Sequence, residues 1–151
     1  MTARVVLLHP DELPGVVDKI MEIETSSFSV PWKADDFRIS AERGTVAASF
    51  GEDDSLLGYG CSFSVEDEAE ITNLAVAAGE RRRGIGGGLL DRLIGNAERS
   101  GVRRIYLEVR ESNDAAIALY SSRGFCKIGC RRGYYRLPKE DAVLMMKEIS
   151  P

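Results

Sequence analysis

Apolar residues recur along the chain at the two spacings that mark strands and helices. Short runs that are apolar, or that alternate between apolar and polar residues, predict strands at 3–8, 45–50, 56–65, 69–76, 103–109, 125–130 and 141–149. Apolar positions three or four residues apart predict helices that start near Asp11 and that cover 33–42, 89–101 and 113–124. The predicted order is therefore β α α β β β α β α β β.

This order predicts the fold class. The strands between 45 and 76 are joined by the hairpin-like turns GEDDS and EDE, so they are expected to form an antiparallel meander. The later strands alternate with helices, which predicts a βαβαβ portion and hence an α/β protein with a mixed sheet and helices packed on it. Since no repeat or long linker divides the sequence, residues 1–151 are expected to form a single domain.

Composition and charge narrow the classes of function. Hydrophobic residues make up 44% of the chain and charged residues 29%, the balance of a soluble globular protein. The net charge of -4 disfavours a direct nucleic-acid partner, because such proteins are normally basic. No run approaches the roughly 20 apolar residues of a membrane span, and the first apolar run is too short for a signal peptide. We expect a cytoplasmic protein with no membrane contact.

The cysteines do not predict a metal site or a disulfide framework. Cys61, Cys126 and Cys130 form no CxxC pair, and His9 is the only histidine. All three are expected to be small buried hydrophobic residues, and no metal is expected.

The segment RRRGIGGGLL, Arg81 to Leu90, violates helix propensity immediately before a predicted helix. Free backbone N–H groups at a helix start attract anions, glycines let phosphate oxygens approach the backbone, and arginines add charge. The spacing fits neither GxxxxGK[ST] nor GxGxxG, so it does not indicate a Walker or a dinucleotide site. From the glycines alone, a phosphate site and a flexible basic turn both remain open.

Neighbouring motifs give a resemblance that covers most of the chain. RRRGIG resembles the Q/R-x-x-G-x-G/A pyrophosphate loop of the GNAT family of acetyl-CoA-dependent N-acetyltransferases. The segments FSVPW, ITNLAV, YLEVRESNDAAIALYSSRGF and RRGYYRLPKEDAVLMM resemble the RimI branch, which acetylates the N-terminal alanine of a small-subunit ribosomal protein. The resemblance implies a GNAT fold with a mostly antiparallel twisted sheet, acetyl-CoA as cosubstrate, and a protein N-terminus as acceptor, with a ribosomal protein as the expected partner.

The resemblance also implies where acetyl-CoA binds. The β-strand residues expected to bind it through their backbone, on a strand that splays from its neighbour, are Leu74, Ala75 and Val76. The residues expected to hold the pyrophosphate are Arg82, Arg83, Gly84, Ile85, Gly86 and Gly87. Asn113 is expected both to cap a helix and to contact the cofactor.

Catalytic and acceptor roles follow from the same motifs. Glu108 in LEVR is the expected general base, and Tyr120, two helical turns after Asn113, is the expected general acid for the departing thiolate. By their types alone, a strand glutamate is more often solvated and a helix tyrosine more often packs. The aromatic residues expected to line the acceptor groove are Trp32, Tyr134 and Tyr135, although the tyrosines also suit a strand edge. The acidic residues suited to a basic peptide tail are Glu24, Asp35 and Asp36.

Two other functions are consistent with the sequence. A GNAT enzyme of this kind is also suited to broader protein N-termini, a lysine side chain or a small-molecule amine. A non-catalytic acyl-CoA-binding or ribosome-associated module would need the phosphate loop but neither Glu108 nor Tyr120.

Overall fold

A computed structural model describes residues 3–150, which form one seven-stranded sheet with helices on both faces. The strands are β1 Arg4–Leu7, β2 Thr45–Phe50, β3 Leu56–Val65, β4 Glu68–Val76, β5 Arg104–Arg110, β6 Cys126–Arg136 and β7 Lys139–Glu148. The helices are α1 Val17–Ser27, α2 Ala34–Arg43, α3 Ile85–Arg99 and α4 Asp114–Ser122. Two short 3-10 helices cover Pro10–Gly15 and Ala78–Glu80.

The sheet separates near its middle. Its strand order is β1-β2-β3-β4-β5-β7-β6, and all neighbours are antiparallel except β4 and β5. The parallel pairing of β4 with β5 covers only Glu68–Glu70 against Arg104–Tyr106. Beyond this point β4 continues along β3 and β5 continues along β7, so the two strands splay apart. The predicted mixed, mostly antiparallel sheet is confirmed.

A β-bulge changes the direction of side chains in β4. Cys61 pairs with Asn73 and Ser62 pairs with Ile71, so Thr72 is an extra residue on β4. Ile71 packs in the core beneath α3, whereas Asn73 contacts α1 on the opposite face. In a regular strand, residues two apart share a face, so the bulge is what turns Asn73 over.

Two apolar cores sandwich the sheet. The core on the α3 and α4 face includes Leu89, Leu90, Leu93, Ile105, Leu107, Val109 and Phe125. The core on the α1 and α2 face includes Ile20, Ile23, Phe37, Val46, Tyr59 and Cys61. Gly58 and Gly60 allow α3 to lie close to β3, because a Cβ on either would meet Leu89 or Leu93 at 3.1 Å or 2.9 Å.

Several element boundaries differ from the predicted ones. Helix α1 begins at Val17, because Pro10–Gly15 forms a 3-10 helix. Helix α3 begins at Ile85 and so contains three glycines that the pattern assigned to a turn. Strand β6 runs on to Arg136, well beyond the predicted end at 130.

The prediction for the cysteines was right for one and wrong for two. Cys61 is buried, but Cys126 and Cys130 are exposed. They lie on β6, an edge strand that is largely open to solvent, so an apolar run there did not indicate burial. No helix within residues 3–150 combines the length and apolar character needed to cross a membrane.

Candidate active site

A cleft opens where β4 and β5 separate. Its volume is about 540 Å³, and it is lined from both sheet faces and both halves of the sheet. The residues that line it include Glu24, Trp32, Asn73, Leu74, Glu108, Arg110, Asn113, Tyr120, Tyr134 and Tyr135. Strand separation therefore connects the α4 side of the sheet with the α1–α2 side.

Glu108 lies on the cleft face of β5. Ile105, Leu107 and Val109 are buried on the other face, as the alternation predicted. The Glu108 side chain is 21% exposed, and its Oε2 lies 3.8 Å from Arg131 Nε. That oxygen is buried and accepts no hydrogen bond from any residue in the described range 3–150. A carboxylate oxygen in this state has capacity left for a proton or for a ligand donor.

The charge of Glu108 affects the pKa values of nearby side chains. Burial, followed by the charge of Glu108, raises the pKa of Tyr134 and raises the pKa of Tyr135 to about 12. The same two causes raise the pKa of Glu70, which lies on β4 beside the point of separation. A second cavity of about 350 Å³ is lined by Glu70, Glu108 and Arg131, so Glu108 borders both cavities.

Tyr120 reaches the cleft from α4. The residue is 7% exposed and its ring lies 5.8 Å from that of Phe125. Burial, followed by the nearby Tyr135, raises the pKa of Tyr120 to about 12. Its hydroxyl therefore keeps its proton at neutral pH, as a proton donor must. Asn113 caps the same helix, since its Oδ1 accepts from the backbone N–H of Ala116 at 3.1 Å.

The glycine-rich loop lies at the end of β4 and against α4. Gly84 has a φ of 79° and precedes the first residue of α3, and Arg82 has a φ of 67°. A Cβ on Gly86 would lie 3.4 Å from Leu119 and 3.6 Å from Val76. Arg83 forms an ion pair with Glu80 at 2.9 Å. The loop therefore adjoins Leu74–Val76 and α4, but residues 82–87 do not line the cleft itself.

A buried carboxylate on α1 supports the cleft wall on the α1–α2 side of the sheet. Glu24 on α1 is 1% exposed and accepts from the Tyr59 hydroxyl and from the backbone N–H of Trp32, the latter at 2.8 Å. Asn73 Nδ2 donates to its two oxygens at 3.2 Å and 3.4 Å. Burial, followed by the hydrogen bond to Glu24, raises the pKa of Tyr59, so its hydroxyl remains a donor. Glu24 thus joins α1, β3, β4 and the α1–α2 connection.

Arg110 ties together the segments that border the cleft. Its guanidinium donates to Ser29 Oγ at 3.2 Å in the α1–α2 connection. It also donates to the carbonyl oxygens of Leu137 and Pro138 at 3.2 Å and 2.9 Å in the β6–β7 turn. Its guanidinium carbon lies 4.3 Å from the centre of the Tyr135 ring. One side chain of β5 therefore holds both cleft-bordering segments.

The structure brings the sequence-predicted residues of the chemistry together. Glu108, Tyr120 and Asn113 line the same cleft, with Leu74 on β4 and the three predicted aromatics Trp32, Tyr134 and Tyr135. Asp35 and Asp36 lie on α2 and are not among the lining residues. Within the described chain there is no cluster of three or more His, Cys, Asp or Glu side chains placed for a metal.

Sequence reasoning missed the parts played by three cleft residues. Glu24 lies four residues after buried Ile20, so its position on an apolar helix face was a usable signal for a buried carboxylate. Asn73 owes its direction to the bulge, which the sequence pattern does not reveal. Arg110 belongs to the LEVR motif, but its partners are 27 to 81 residues away along the chain.

Comparison with known proteins gives a family and close relatives. The sequence model of the Acetyltransferase (GNAT) family matches residues 17–125. A [ribosomal protein bS18]-alanine N-acetyltransferase of Salmonella typhimurium is 36% identical over 146 residues, which cover 95% of this chain and 96% of that protein.

Solved structures agree with the sequence comparison. The ribosomal-protein-S18-alanine N-acetyltransferase of Escherichia coli superposes with a TM-score of 0.86 at 34% identity, covering 99% of this chain and 96% of that chain. A chain of a NatC complex bound to Gag peptide and CoA superposes with a TM-score of 0.89 at 20% identity, covering 99% of this chain and 100% of that chain. The latter likeness concerns the fold alone.

Proposed function

The chain belongs to the Acetyltransferase (GNAT) family and is an N-acetyltransferase, and from this premise we propose that it acetylates a protein N-terminus. The acceptor that we propose is the N-terminal alanine of ribosomal protein bS18, because relatives that are 34–36% identical over at least 95% of this chain carry that activity in their names. The observation that carries the proposal is the cleft, which brings together a buried carboxylate oxygen of Glu108 that accepts no hydrogen bond from the described residues, the Tyr120 hydroxyl, and the aromatic residues Trp32, Tyr134 and Tyr135.

Acetyl-CoA fits the side of the cleft that faces α4. Apart from its chain neighbours, no atom of the described residues lies within 4 Å of a Cβ placed on Gly84, so the backbone just before α3 is open to a pyrophosphate. The helix N-terminus supplies N–H groups without intrahelical partners. Arg82 and Arg83 add positive charge there. Splaying leaves the β5-facing edge of Leu74–Val76 without a strand partner, so its backbone groups are free to bind the pantetheine arm. Asn113 at the start of α4 supplies a further contact on this side.

Glu108 is proposed to act as the general base. A protein α-amine has a reference pKa near 8, so most of it carries an extra proton at neutral pH and must lose this proton before attack. The buried Oε2 of Glu108, directly or through one water, is suited to receive the proton. The amine nitrogen then bonds to the thioester carbon, and a backbone N–H of β4 stabilises the negative charge that develops on the carbonyl oxygen.

Tyr120 is proposed to complete the transfer. The carbon–sulfur bond breaks as the carbonyl re-forms, and the Tyr120 hydroxyl donates its proton to the departing sulfur. Because burial holds the pKa of Tyr120 at about 12, the phenol remains protonated until this step. Glu108 passes the first proton to solvent, so it is free to take the second proton that leaves the nitrogen after attack. The tyrosine then regains a proton from solvent, and one proton is released in the whole reaction. Holding both substrates in one cleft supplies a further large part of the rate through proximity.

The acceptor peptide is proposed to lie against Trp32, Tyr134 and Tyr135. Trp32 is held by Glu24 and by a ring contact to Phe37 at 5.1 Å. Tyr134 and Tyr135 pack edge to face with 5.1 Å between ring centres. These aromatic surfaces are preformed, so binding of a peptide requires little further ordering of the wall.

A test compares acetyl-CoA consumption across three kinds of acceptor. These are short peptides that differ only in their first residue, a peptide with a blocked N-terminus and an internal lysine, and a polyamine. We expect turnover on the alanine-starting peptide. Glu108→Gln should lower its kcat/KM about 10²- to 10⁴-fold at neutral pH, with recovery at high pH as the free amine becomes abundant. Glu52→Gln, an exposed carboxylate in the β2–β3 turn, is the matched control.

The other outcomes separate the alternatives. Turnover on the polyamine or the internal lysine alone would keep the family chemistry and remove the α-amine as acceptor. Retained acetyl-CoA binding without transfer to any amine would favour an acyl-CoA-binding module. An undiminished rate in Glu108→Gln would remove Glu108 from the mechanism.

A further inference from the structure

The side-chain oxygen of Asn73 is buried without a partner. Asn73 is 7% exposed, and its Oδ1 accepts no hydrogen bond from the part of the chain that the structure describes. A buried carbonyl oxygen left unpaired has lost its hydrogen bonds to water without gaining others, which destabilises the fold. Native structures seldom leave such a group unsatisfied, so we expect this oxygen to accept a hydrogen bond from a group that is not part of the protein.

Glu24 fixes which end of the Asn73 amide is the oxygen. A carboxylate accepts hydrogen bonds, and all the contacts of Glu24 described above come from donors. The amide nitrogen of Asn73 must therefore face Glu24, because its oxygen would be repelled there. The oxygen is left on the side away from Glu24, and the β-bulge at Thr72 turns the whole side chain to the face of β4 that contacts α1.

Asn73 lines the same cleft as the two proposed catalytic side chains. It precedes Leu74 on β4, while Glu108 lies across the gap on β5 and Tyr120 lies on α4. Its neighbours in the cleft wall, Trp32 and Glu24, belong to the acceptor side. A donor that meets Asn73 Oδ1 would thus lie near Glu108 across the cleft, and the thioester group of the cosubstrate, with one carbonyl oxygen and one sulfur, has no N–H or O–H to donate.

We propose that Asn73 Oδ1 accepts an N–H from the α-amine that is acetylated, an inference that rests on the proposed function. A neutral primary amine has two N–H bonds and one lone pair. One N–H donates to Asn73, the lone pair attacks the thioester carbon, and the proton that must leave the nitrogen goes to Glu108. Asn73 is then a substrate-positioning residue that aims the lone pair, and Glu24 keeps the Asn73 oxygen in place.

This assignment predicts discrimination by the number of N–H bonds. An N-methylalanine terminus has one N–H when neutral, so it cannot serve both Asn73 and Glu108. The experiment measures kcat/KM for an alanine-starting peptide and for its N-methylalanine counterpart, with wild type and Asn73→Leu. Leucine matches asparagine in size, so the variant does not gain room for the methyl group. Asn96→Leu, on α3 and outside the cleft, is the matched control.

We expect Asn73→Leu to lower kcat/KM for the alanine peptide about tenfold, as loss of one hydrogen bond predicts. The N-methyl peptide should change little, so the ratio of the two values should shrink by about the same factor. KM for acetyl-CoA should stay unchanged, and Asn96→Leu should keep the wild-type ratio. If the leucine variant does not fold, Asn73→Val, which also lacks hydrogen-bonding groups and opens less space than alanine, serves for the same comparison.

Three other results would overturn the inference. An unchanged ratio in a folded Asn73 variant would overturn the inference, since water or packing would then satisfy the oxygen. An equal fall for both peptides would also overturn it, because the role would be structural. If wild type acetylates neither peptide, the proposed function fails and this inference fails with it.

Discussion

Replacing Glu24 with glutamine tests what holds the proposed acceptor side of the cleft, Trp32 and Asn73, in place. The carboxylate is 1% exposed and receives hydrogen bonds from Tyr59, Trp32 and Asn73. Glutamine keeps the shape but offers one acceptor oxygen and one NH₂ group. Three donors converge on this place, so at least one of them meets an NH₂ group and loses its acceptor.

The expected loss of stability follows from these contacts. A buried donor without a partner costs about 1–3 kcal/mol, and hydrogen bonds to a charged acceptor contribute about 1 kcal/mol more than neutral ones. Allowing for rearrangement of the Tyr59 hydroxyl, Glu24→Gln should lower the free energy of unfolding by about 2–4 kcal/mol. That is a large fraction of the roughly 5–15 kcal/mol that stabilises an average domain.

Urea unfolding followed by far-ultraviolet circular dichroism measures this loss. The matched control is Glu42→Gln, which removes an exposed carboxylate on α2 that forms an ion pair with Arg38. Such a surface pair contributes little, so the control should lie within about 0.5 kcal/mol of wild type. A double mutant with Tyr59→Phe should show less than the sum of the two single losses, because the two side chains share a hydrogen bond.

Two results would contradict the expected role of Glu24. Equal unfolding free energies for Glu24→Gln and Glu42→Gln would mean that the buried contacts contribute no more than a surface pair. Additive losses in the double mutant, to within about 0.5 kcal/mol, would mean that Glu24 and Tyr59 act independently.

Three other expectations concern pH, packing and the phosphate loop. The pKa of Tyr120 is raised to about 12 from an ordinary value of 10.0, so its share of stability is complete below pH 10 and is lost as pH rises from there toward 12. Tyr120→Phe should therefore flatten the fall of the urea midpoint between about pH 10 and 11.5; an identical slope would contradict this. A Cβ on Gly44 would collide with the backbone oxygen of Ser62, so Gly44→Ala should lower the free energy of unfolding by about 1–3 kcal/mol. A Cβ on Gly79 would have no atom of the described chain within 4 Å beyond its own neighbours, so Gly79→Ala should leave the thermal unfolding midpoint unchanged. Arg82 has a φ of 67°, so Arg82→Gly should leave stability equal or slightly higher while it raises KM for acetyl-CoA; an unchanged KM would remove Arg82 from the pyrophosphate site.

The fold was predictable to the extent that periodicity is local. All seven strands and four α-helices were expected in the right order, because alternation and helical spacing are properties of neighbouring residues. The start of α3 was missed because three glycines have poor helix propensity, and here the packing of Leu89, Leu90 and Leu93 under the sheet outweighs it. The exposed Cys126 and Cys130 were missed because the sequence does not say which strand lies at the edge.

The residues of the candidate site could be predicted where they belong to recognisable sequence motifs. Glu108 and Tyr120 were expected to act together, and they line one cleft. Their roles as base and acid stay predictions until kinetics test them. The asparagine and glutamate of the acceptor wall depend on a bulge and on a contact between residues 49 positions apart, which no local pattern encodes.

Trp32 gives the acceptor wall a property of practical use. It is the only tryptophan in the 151-residue chain, and it lies in the cleft with its backbone fixed by Glu24 and its ring against Phe37. When only tryptophan is excited, the fluorescence of the protein therefore comes from this one residue. A peptide that binds against Trp32 would change the surroundings of this indole, so occupation of the proposed acceptor side can be followed by intrinsic fluorescence without an attached dye.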